Sequence, residues 1–182
     1  MTAIRRQPIT QRSSRGGSAE EALAYLKSFY EHAPVLDQGA RGAAITFAIE
    51  KIGDVHLTWE NEALREVGET QGLEIVYPPI SIRAEPRVAW VDANVARNGT
   101  LAEAKAFLEF LFTERAQDII AEFGYRPARA ESANKFAARL PPLDLFPISV
   151  IARDWEDAEQ TFFAPNGIID AIYTPKPKPF SE

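Results

Sequence analysis

Cysteine is absent from this sequence of 182 residues. Its absence excludes disulfides, zinc–thiolate sites and thiol catalysis, and it suits an exported protein without deciding the compartment. Histidine occurs only as His32 and His56, and two isolated histidines do not make a metal site. No apolar run approaches the ~18 residues of a membrane-spanning helix. The sequence therefore predicts no metal, no cofactor and no membrane span.

Acidic residues outnumber basic ones after the first fifteen residues. The formal net charge is −6, and the first fifteen residues hold four arginines and no acid, which leaves about −10 for the remainder. An acidic body argues against nucleic acid as the main partner. The basic start would also suit a short nucleic-acid or membrane arm, but scattered arginines are more typical of a solvated tail. It contains no apolar stretch, so it does not resemble a secretory signal peptide.

The pattern of apolar residues predicts an α/β chain with a helix-rich C-terminal half. Ser18 and Glu21 form a capping box at the start of the first helix, and Thr100 and Glu103 suggest a second one. Further helices are predicted at 43–52, 61–68, 114–123, 132–139, 149–163 and 167–173. Strands or extended segments are predicted at 54–59, 73–77 and 83–92, and a linker at 141–146.

The first candidate site is the segment Gln38-Gly39-Ala40-Arg41-Gly42, which precedes a predicted helix. The first amide groups of a helix have no intrahelical acceptor, and the helix dipole favours negative charge there. Such a helix start can therefore bind an oxyanion. The same glycines would also serve an ordinary strand-to-helix turn, and the motif alone leaves that alternative open.

The second candidate is Trp59, at the end of a predicted strand. Ligands of open α/β sheets bind beyond the carboxyl ends of the strands. The indole N–H donates and cannot accept, which suits a fully ionised sulfate. A phosphate that carries a proton would leave it unpaired, at a cost of about 1–3 kcal/mol. A core tryptophan at a strand end is the alternative interpretation.

Catalytic interpretations have little support in the sequence. His56 and Glu60 are four residues apart, but a strand followed by a turn need not bring them to one face. Glu60 and Glu62 would be the candidate acid–base pair, although acids at a helix start usually interact with the helix dipole. His32 lies at a helix end, where a cation is favourable anyway. No phosphate-binding loop is present and no Ser-His-Asp set is indicated, so no enzymatic activity is expected.

Taken together, these segments resemble the periplasmic sulfate-binding proteins and their thiosulfate-binding relatives. The resemblance extends from about Ser18 to Tyr173, in order and with few gaps. Its most specific parts are the Gly-Ala-Arg-Gly and Trp-Glu-Asn-Glu-Ala motifs. The segments that carry it include Val35–Gly42, Ile52–Val55, Trp59–Ala63, Ala84–Pro86, Tyr125–Pro127 and Asn166–Gly167.

The resemblance implies a type II periplasmic-binding-protein fold, in which neutral donors hold a dehydrated oxyanion between two lobes. It implies that Ala40 donates its backbone N–H to sulfate or thiosulfate, that Trp59 donates its indole N–H, and that Gly39 and Arg41 lie beside them. Arg41 would stabilise the local hydrogen-bond array. The implied partner is the membrane permease of an ABC importer, and the implied setting is a monomer in the periplasm.

Members of that family are longer on the N-terminal side, so the resemblance implies an N-terminally truncated receptor that lacks much of one lobe. The expected parts are a disordered leader at 1–17, a remnant of the second lobe at 18–80, a crossover and helical part at 81–173, and a flexible tail at 174–182. Because many donors of the family site would be missing, weak anion binding and exposed apolar faces are expected. The alternative is a non-binding truncated or split-gene fragment.

Overall fold

A computed structural model describes residues 2–5 and 18–173 of the chain. Its strands are Thr2–Arg5 (β1), Val55–Thr58 (β2), Glu74–Val76 (β3), Ile80–Ile82 (β4) and Asp144–Phe146 (β5). Its α-helices are Ala19–Glu31 (α1), Gly39–Ala48 (α2), Glu60–Glu69 (α3), Asp92–Asn98 (α4), Leu101–Phe110 (α5), Glu114–Glu122 (α6), Ala130–Lys135 (α7), Trp155–Ala158 (α8) and Ile168–Ile172 (α9).

The contacts divide the chain into two compact units. Unit 1 contains the described residues up to Ile82 together with those from Leu145 onward, and unit 2 is Arg83–Asp144. Strands β4 and β5 pair in a two-stranded sheet, and the unit boundaries fall at the ends of these two strands. The assignment of 18–80 and 81–173 to the two lobes of a receptor stays a prediction.

Unit 1 is built on a three-stranded sheet in the order β2-β1-β3. Strand β1 is antiparallel to both neighbours, with Ala3 paired to Leu57 on one side and to Val76 on the other. The prediction of a disordered leader over 1–17 is therefore wrong for Thr2–Arg5, because these residues supply the central strand. The rest of that leader, and the predicted flexible tail at 174–182, lie outside the described residues.

Helices α2 and α3 cover one face of this sheet. Phe47 of α2 and Ala63 of α3 are buried against each other, and Val67, Leu73 and Ile75 pack around them. The small side chain of Ala63 allows the two helices and the strands to approach closely. The predicted strands at 54–59 and 73–77 are confirmed within one or two residues at each end. The helix predicted at 43–52 begins four residues earlier, at Gly39.

The two predicted capping boxes have different outcomes. At α1, Ser18 accepts from the amide of Glu21 and the Glu21 carboxylate accepts from the amide of Ser18, so the first box is confirmed. At α5, Thr100 makes no side-chain cap. The reason is helix α4, which was not predicted: it ends at Gly99, and the Thr100 amide donates to its Val95 carbonyl. Thr100 is thus bonded to the end of α4 and is also the N-cap of α5. Its backbone is not extended, as a capping box needs.

The predicted helix at 149–163 is also wrong as a continuous element. Ile148–Val150 is a 3₁₀ turn, and Asp154 is extended and caps α8 by accepting from the amide of Asp157 at 2.8 Å. A π-helical turn at Glu159–Phe163 follows. An internal N-cap interrupts a helix because its backbone is not helical. Residues 144–146, predicted to be linker, are strand β5. Residues 83–91 of the segment predicted to be extended form neither helix nor strand, and Asp92 begins α4.

Few large apolar side chains are buried in the described part of the chain. Five of the seven buried hydrophobic residues are alanines, and the other two are Phe47 and Leu140. Many large apolar side chains are exposed, among them Leu23, Phe29, Leu57, Phe107 and Phe123. Exposed apolar faces were predicted, and the described residues confirm them. Contiguous apolar surfaces are typical of sites that bind other protein, whereas single exposed apolar residues are ordinary.

Unit 2 contains a buried acid that links α6 to α7. Asp118 accepts hydrogen bonds from the Lys135 ammonium at 2.5 Å and from the Ser132 hydroxyl at 2.8 Å. Both hydrogen bonds hold the pKa of Asp118 below its ordinary value, and the bond from Lys135 has the larger effect. A carboxyl group with a lowered pKa in the folded state stabilises the fold above its unfolded pKa, and this stabilisation is lost as pH falls through the folded value.

We therefore expect Asp118→Asn to destabilise the protein at pH 7, and the difference from wild type to shrink as pH falls below about 4, the ordinary pKa of aspartate. Urea unfolding followed by circular dichroism at neutral and acidic pH measures both values. Glu131→Gln, at a neighbouring exposed acid of α7, is the control and should change little. A difference for Asp118→Asn that is the same at both pH values would contradict this account.

Candidate anion site

The first turn of α2 presents the predicted donor segment. Gly39 is the first residue of the helix and has φ +81°, a conformation that favours glycine. The preceding residue, Gln38, makes no side-chain cap. The first amides of a helix lack intrahelical acceptors. Ala40 is half-buried, and Gly39 and Arg41 are exposed. All three residues lie in the first turn, where the helix dipole favours an anion.

Gly42 has a separate structural role in this turn. A Cβ placed on Gly42 would lie 3.3 Å from the Cβ of Asp37, which is closer than side chains normally pack. The glycine therefore lets the segment before α2 fold back against the helix. The second glycine of the Gly-Ala-Arg-Gly motif serves packing, whereas the first serves the backbone conformation at the helix start.

Trp59 connects β2 to α3. It is the N-cap residue of α3, with extended backbone, and its carbonyl accepts from the amide of Ala63 at 2.9 Å. Its side chain is 47% exposed. The interpretation of Trp59 as a core tryptophan is therefore wrong, because a core side chain would be buried.

The helix start and the tryptophan lie at the same end of unit 1. The ring of Phe47, near the end of α2, contacts the ring of His56 near the start of β2, with centroids 5.4 Å apart. The chain turns back between them, and β2 packs along α2. The two elements therefore run in opposite directions, so the start of α2 and the end of β2 point the same way. Gly39, Ala40 and Trp59 belong to this end.

A shallow pocket lies at the opposite end of the same helices. It has a volume of about 230 Å³ and is lined by Ala48, Lys51, Thr70, Gln71, Gly72 and Leu73. These residues follow the last turns of α2 and α3, where helix carbonyl groups collect negative partial charge. That charge is unfavourable for an anion, so this pocket is not the candidate site.

The catalytic candidates do not assemble into an acid–base site. His56 bonds to Glu66 through Nδ1, at 3.2 Å, and not to Glu60. Glu62 forms an ion pair with Arg65 one turn further along α3. His32 bonds to the carbonyl of Ser28 in its own helix. Within residues 2–5 and 18–173, no three His, Asp or Glu side chains are grouped to hold a metal ion, and no helix there is long and apolar enough to cross a membrane.

The layer beneath Trp59 was not predicted from the sequence. His56 and Glu66 are 8% and 3% exposed, and Thr2 and Thr58, which pair across β1 and β2, are buried beside them. Among residues 2–5 and 18–173, no hydrogen-bond partner is found for four polar groups: the hydroxyls of Thr2 and Thr58, Nε2 of His56 and Oε1 of Glu66. The only signal in the sequence was the alternation that puts His56 and Thr58 on the inner face of β2.

The chain matches the model of a family described as bacterial extracellular solute-binding protein, over residues 9–126. This chain belongs to that family.

Two curated relatives and one solved structure define the likeness further. The thiosulfate-binding protein of Pseudomonas aeruginosa is 40% identical over 163 residues, which is 88% of this chain and 49% of that protein. The sulfate-binding protein of Escherichia coli is 41% identical over 155 residues, which is 84% of this chain and 47% of that protein. The sulfate-binding protein SubI of Mycobacterium tuberculosis has a TM-score of 0.67 at 26% identity, over 79% of this chain and 49% of that one.

These comparisons confirm the predicted family and the partial α/β fold of a sulfate-binding protein. The chain spans about half the length of the curated relatives it matches.

Proposed function

We propose that this chain is the sulfate- or thiosulfate-binding part of a solute receptor for an ABC importer. What supports the proposal is the antiparallel packing of α2 and β2, which directs the start of α2 and the end of β2, followed by Trp59, toward one end of unit 1. The proteins it resembles are named for binding sulfate or thiosulfate.

The chemistry of these donors favours a fully ionised oxyanion. Ala40 offers a backbone N–H and Trp59 an indole N–H, and neither group can accept a proton from the ligand. A sulfate dianion has no proton to donate, so every oxygen can accept. Arg41 would act beside the anion by stabilising the surrounding hydrogen bonds. Gly39 would expose the backbone that carries them.

The proposed setting follows from the same family. Receptors of this class bind their solute by hinge closure and deliver it to a membrane permease. We propose the periplasm as the location and a monomer as the form. Binding without catalysis is proposed, because the acids nearest to Trp59 hold structural roles: Glu62 is paired with Arg65, and Glu60 begins α3.

The second candidate is a fragment that does not bind an anion on its own. The exposed apolar side chains and the half-length match to the relatives favour it. A buried dianion needs partners for nearly all its oxygens, and the two segments described above supply only some of them. A split receptor would bind only after a second polypeptide added the remaining donors.

We expect sulfate to bind the chain weakly, at about millimolar concentration, because a few exposed hydrogen bonds supply about 4 kcal/mol. An NMR titration in sulfate-free buffer should shift the Ala40 amide and the Trp59 indole signal. The Trp90 indole is the internal control, since it already donates to Asp92 at 2.9 Å. Trp59→Phe should weaken binding about tenfold or more, the effect of losing one charge-assisted hydrogen bond.

Glu60→Gln combined with Glu62→Gln is the matched change that should leave the sulfate titration unaltered. A loss of binding in that variant would favour a different role for these acids. If the Ala40 and Trp59 signals do not move while the chain is folded, the non-binding fragment is the correct interpretation.

A further inference from the structure

A buried polar layer lies beneath Trp59, between the sheet of unit 1 and α3. It contains Thr2 of β1, His56 and Thr58 of β2, and Glu66 of α3, which are between 1% and 8% exposed. The alternation along β2 puts His56 and Thr58 on the side of the sheet that α3 covers, where His56 bonds to Glu66. Thr2 pairs with Thr58, and residues directly opposite each other in antiparallel strands share a face.

Four polar groups of this layer have no hydrogen-bond partner within the described part of the chain. They are the hydroxyls of Thr2 and Thr58, Nε2 of His56 and Oε1 of Glu66, and all four are shielded from the surrounding solvent. An unpaired buried polar group shifts the folding equilibrium toward the unfolded chain by about fivefold or more. Such groups are therefore nearly always paired in folded proteins, either with other protein groups or with ordered water.

The chemistry of the four groups fits a ligand that both donates and accepts hydrogen bonds. An ionised carboxylate only accepts, so Nδ1 of His56 donates the bond to Glu66. Nε2 of a neutral imidazole is then an acceptor, as is Oε1 of Glu66, whereas the two threonine hydroxyls can donate or accept. A buried water typically makes two to four hydrogen bonds of both kinds.

The spacing of the two threonines also suits a single water molecule. Residues opposite each other in antiparallel strands have Cβ atoms about 4.5–5.5 Å apart. Two O–H···O hydrogen bonds of about 2.8 Å each span up to about 5.5 Å. Because the hydroxyls of Thr2 and Thr58 do not bond to each other, one water between them would pair both.

We propose that this layer is a binding site for internal water, in which one molecule bridges the hydroxyls of Thr2 and Thr58. The hydrogen-bond network that begins there extends to Nε2 of His56 and Oε1 of Glu66. The bound water links β1 to β2 and α3, so it helps to hold the central strand in the sheet. It has no part in the proposed binding of an anion.

Water is a better occupant of this layer than a metal ion. Within residues 2–5 and 18–173, no three His, Asp or Glu side chains are grouped to hold a metal. One wall of the site is also particular to this chain, since Thr2 precedes residues 9–126, which the family model matches. The site is therefore not part of what the family match describes.

A high-resolution crystal structure of the full chain is the direct test. We expect an ordered water within hydrogen-bond distance of both threonine hydroxyls. Thr58→Ser keeps the hydroxyl and should retain this water, whereas Thr58→Val keeps the branched shape without the hydroxyl and should lose it. These two variants separate the effect of the hydroxyl from the effect of the methyl group.

Urea unfolding of Thr2→Val, Thr58→Val and the double variant measures what the water contributes to stability. Valine keeps the strand preference of threonine, and circular dichroism establishes that the variants are folded. Each single change should lower the equilibrium constant for folding by about two- to tenfold, the effect of one lost hydrogen bond. The double variant should be about as stable as either single variant, because the second hydroxyl has no bridge left to lose.

A dry layer would give the opposite sign in these measurements. If both hydroxyls are unpaired, each valine removes a buried polar group that costs stability, so both variants become more stable and the two gains add. That result, or a structure without ordered water between the two hydroxyls, would overturn the proposal. Both measurements are made without sulfate, so they are independent of the proposed function.

Discussion

Replacing Ala3 by proline should abolish the cooperative unfolding of unit 1. Ala3 is in the central strand and pairs with Leu57 and Val76 on its two sides. Proline has no N–H to give to the ladder and is confined to edge strands and bulges. We expect a loss of about 1–3 kcal/mol from the carbonyl left unpaired in the ladder, which is a large part of the stability of a typical domain. Thermal unfolding followed by circular dichroism measures it.

The control for this substitution is Ala3→Thr, which keeps the N–H and favours a strand. Hydrogen exchange adds a local measurement: amides of β2 and β3 should lose protection in Ala3→Pro, and amides of α6 in unit 2 should not. An unchanged melting curve for Ala3→Pro would mean that the sheet does not depend on β1.

Replacing Glu66 by alanine should produce the second large effect. Glu66 is 3% exposed, and within the described part of the chain it is the one hydrogen-bond partner of His56, which is 8% exposed. Removing one member of a buried hydrogen-bonded pair leaves the other without that partner, at a typical cost of about 1–3 kcal/mol, and the lost side-chain volume adds to it. Chemical unfolding of the variant and the wild-type chain at the same pH measures the difference.

The double variant His56→Leu with Glu66→Leu tests the same account from the other direction. Buried pairs replaced by apolar residues of similar volume are often neutral or more stable. Two unpaired buried atoms, Nε2 of His56 and Oε1 of Glu66, would also be removed. We expect the double variant to be more stable than Glu66→Ala and close to wild type. If it is as unstable as Glu66→Ala, the polar pair itself holds α3 on β2.

Local patterns in the sequence were sufficient for several elements of the fold. The capping box at Ser18 and Glu21 requires only neighbouring residues, and α1 begins where the box predicts. Alternation along β2 and the apolar core of β3 identified both strands. The capping box predicted at Thr100 has the same residue types but does not form. Helix α4 ends just before it, and the Thr100 amide already donates to the Val95 carbonyl of that helix.

Features that depend on distant residues were not predictable in the same way. Strand β1 is four residues long, includes Arg5 and precedes a polar stretch, so nothing local indicates a central strand. The pair of His56 and Glu66 spans a strand end and two helical turns, a spacing with no regular period. For the candidate site, the sequence predicted the helix start and Trp59 separately, while their common orientation comes from the contact between Phe47 and His56.

The central position of β1 has a practical consequence for anyone who produces this protein. Thr2 is 1% exposed and begins the strand, so any residues joined directly ahead of Thr2 would continue from the middle of the sheet. An affinity tag or carrier protein fused at this end would continue from a buried strand and press on the adjacent ends of β2 and β3. Exposed positions outside this sheet are therefore the better choice for labelling and immobilisation.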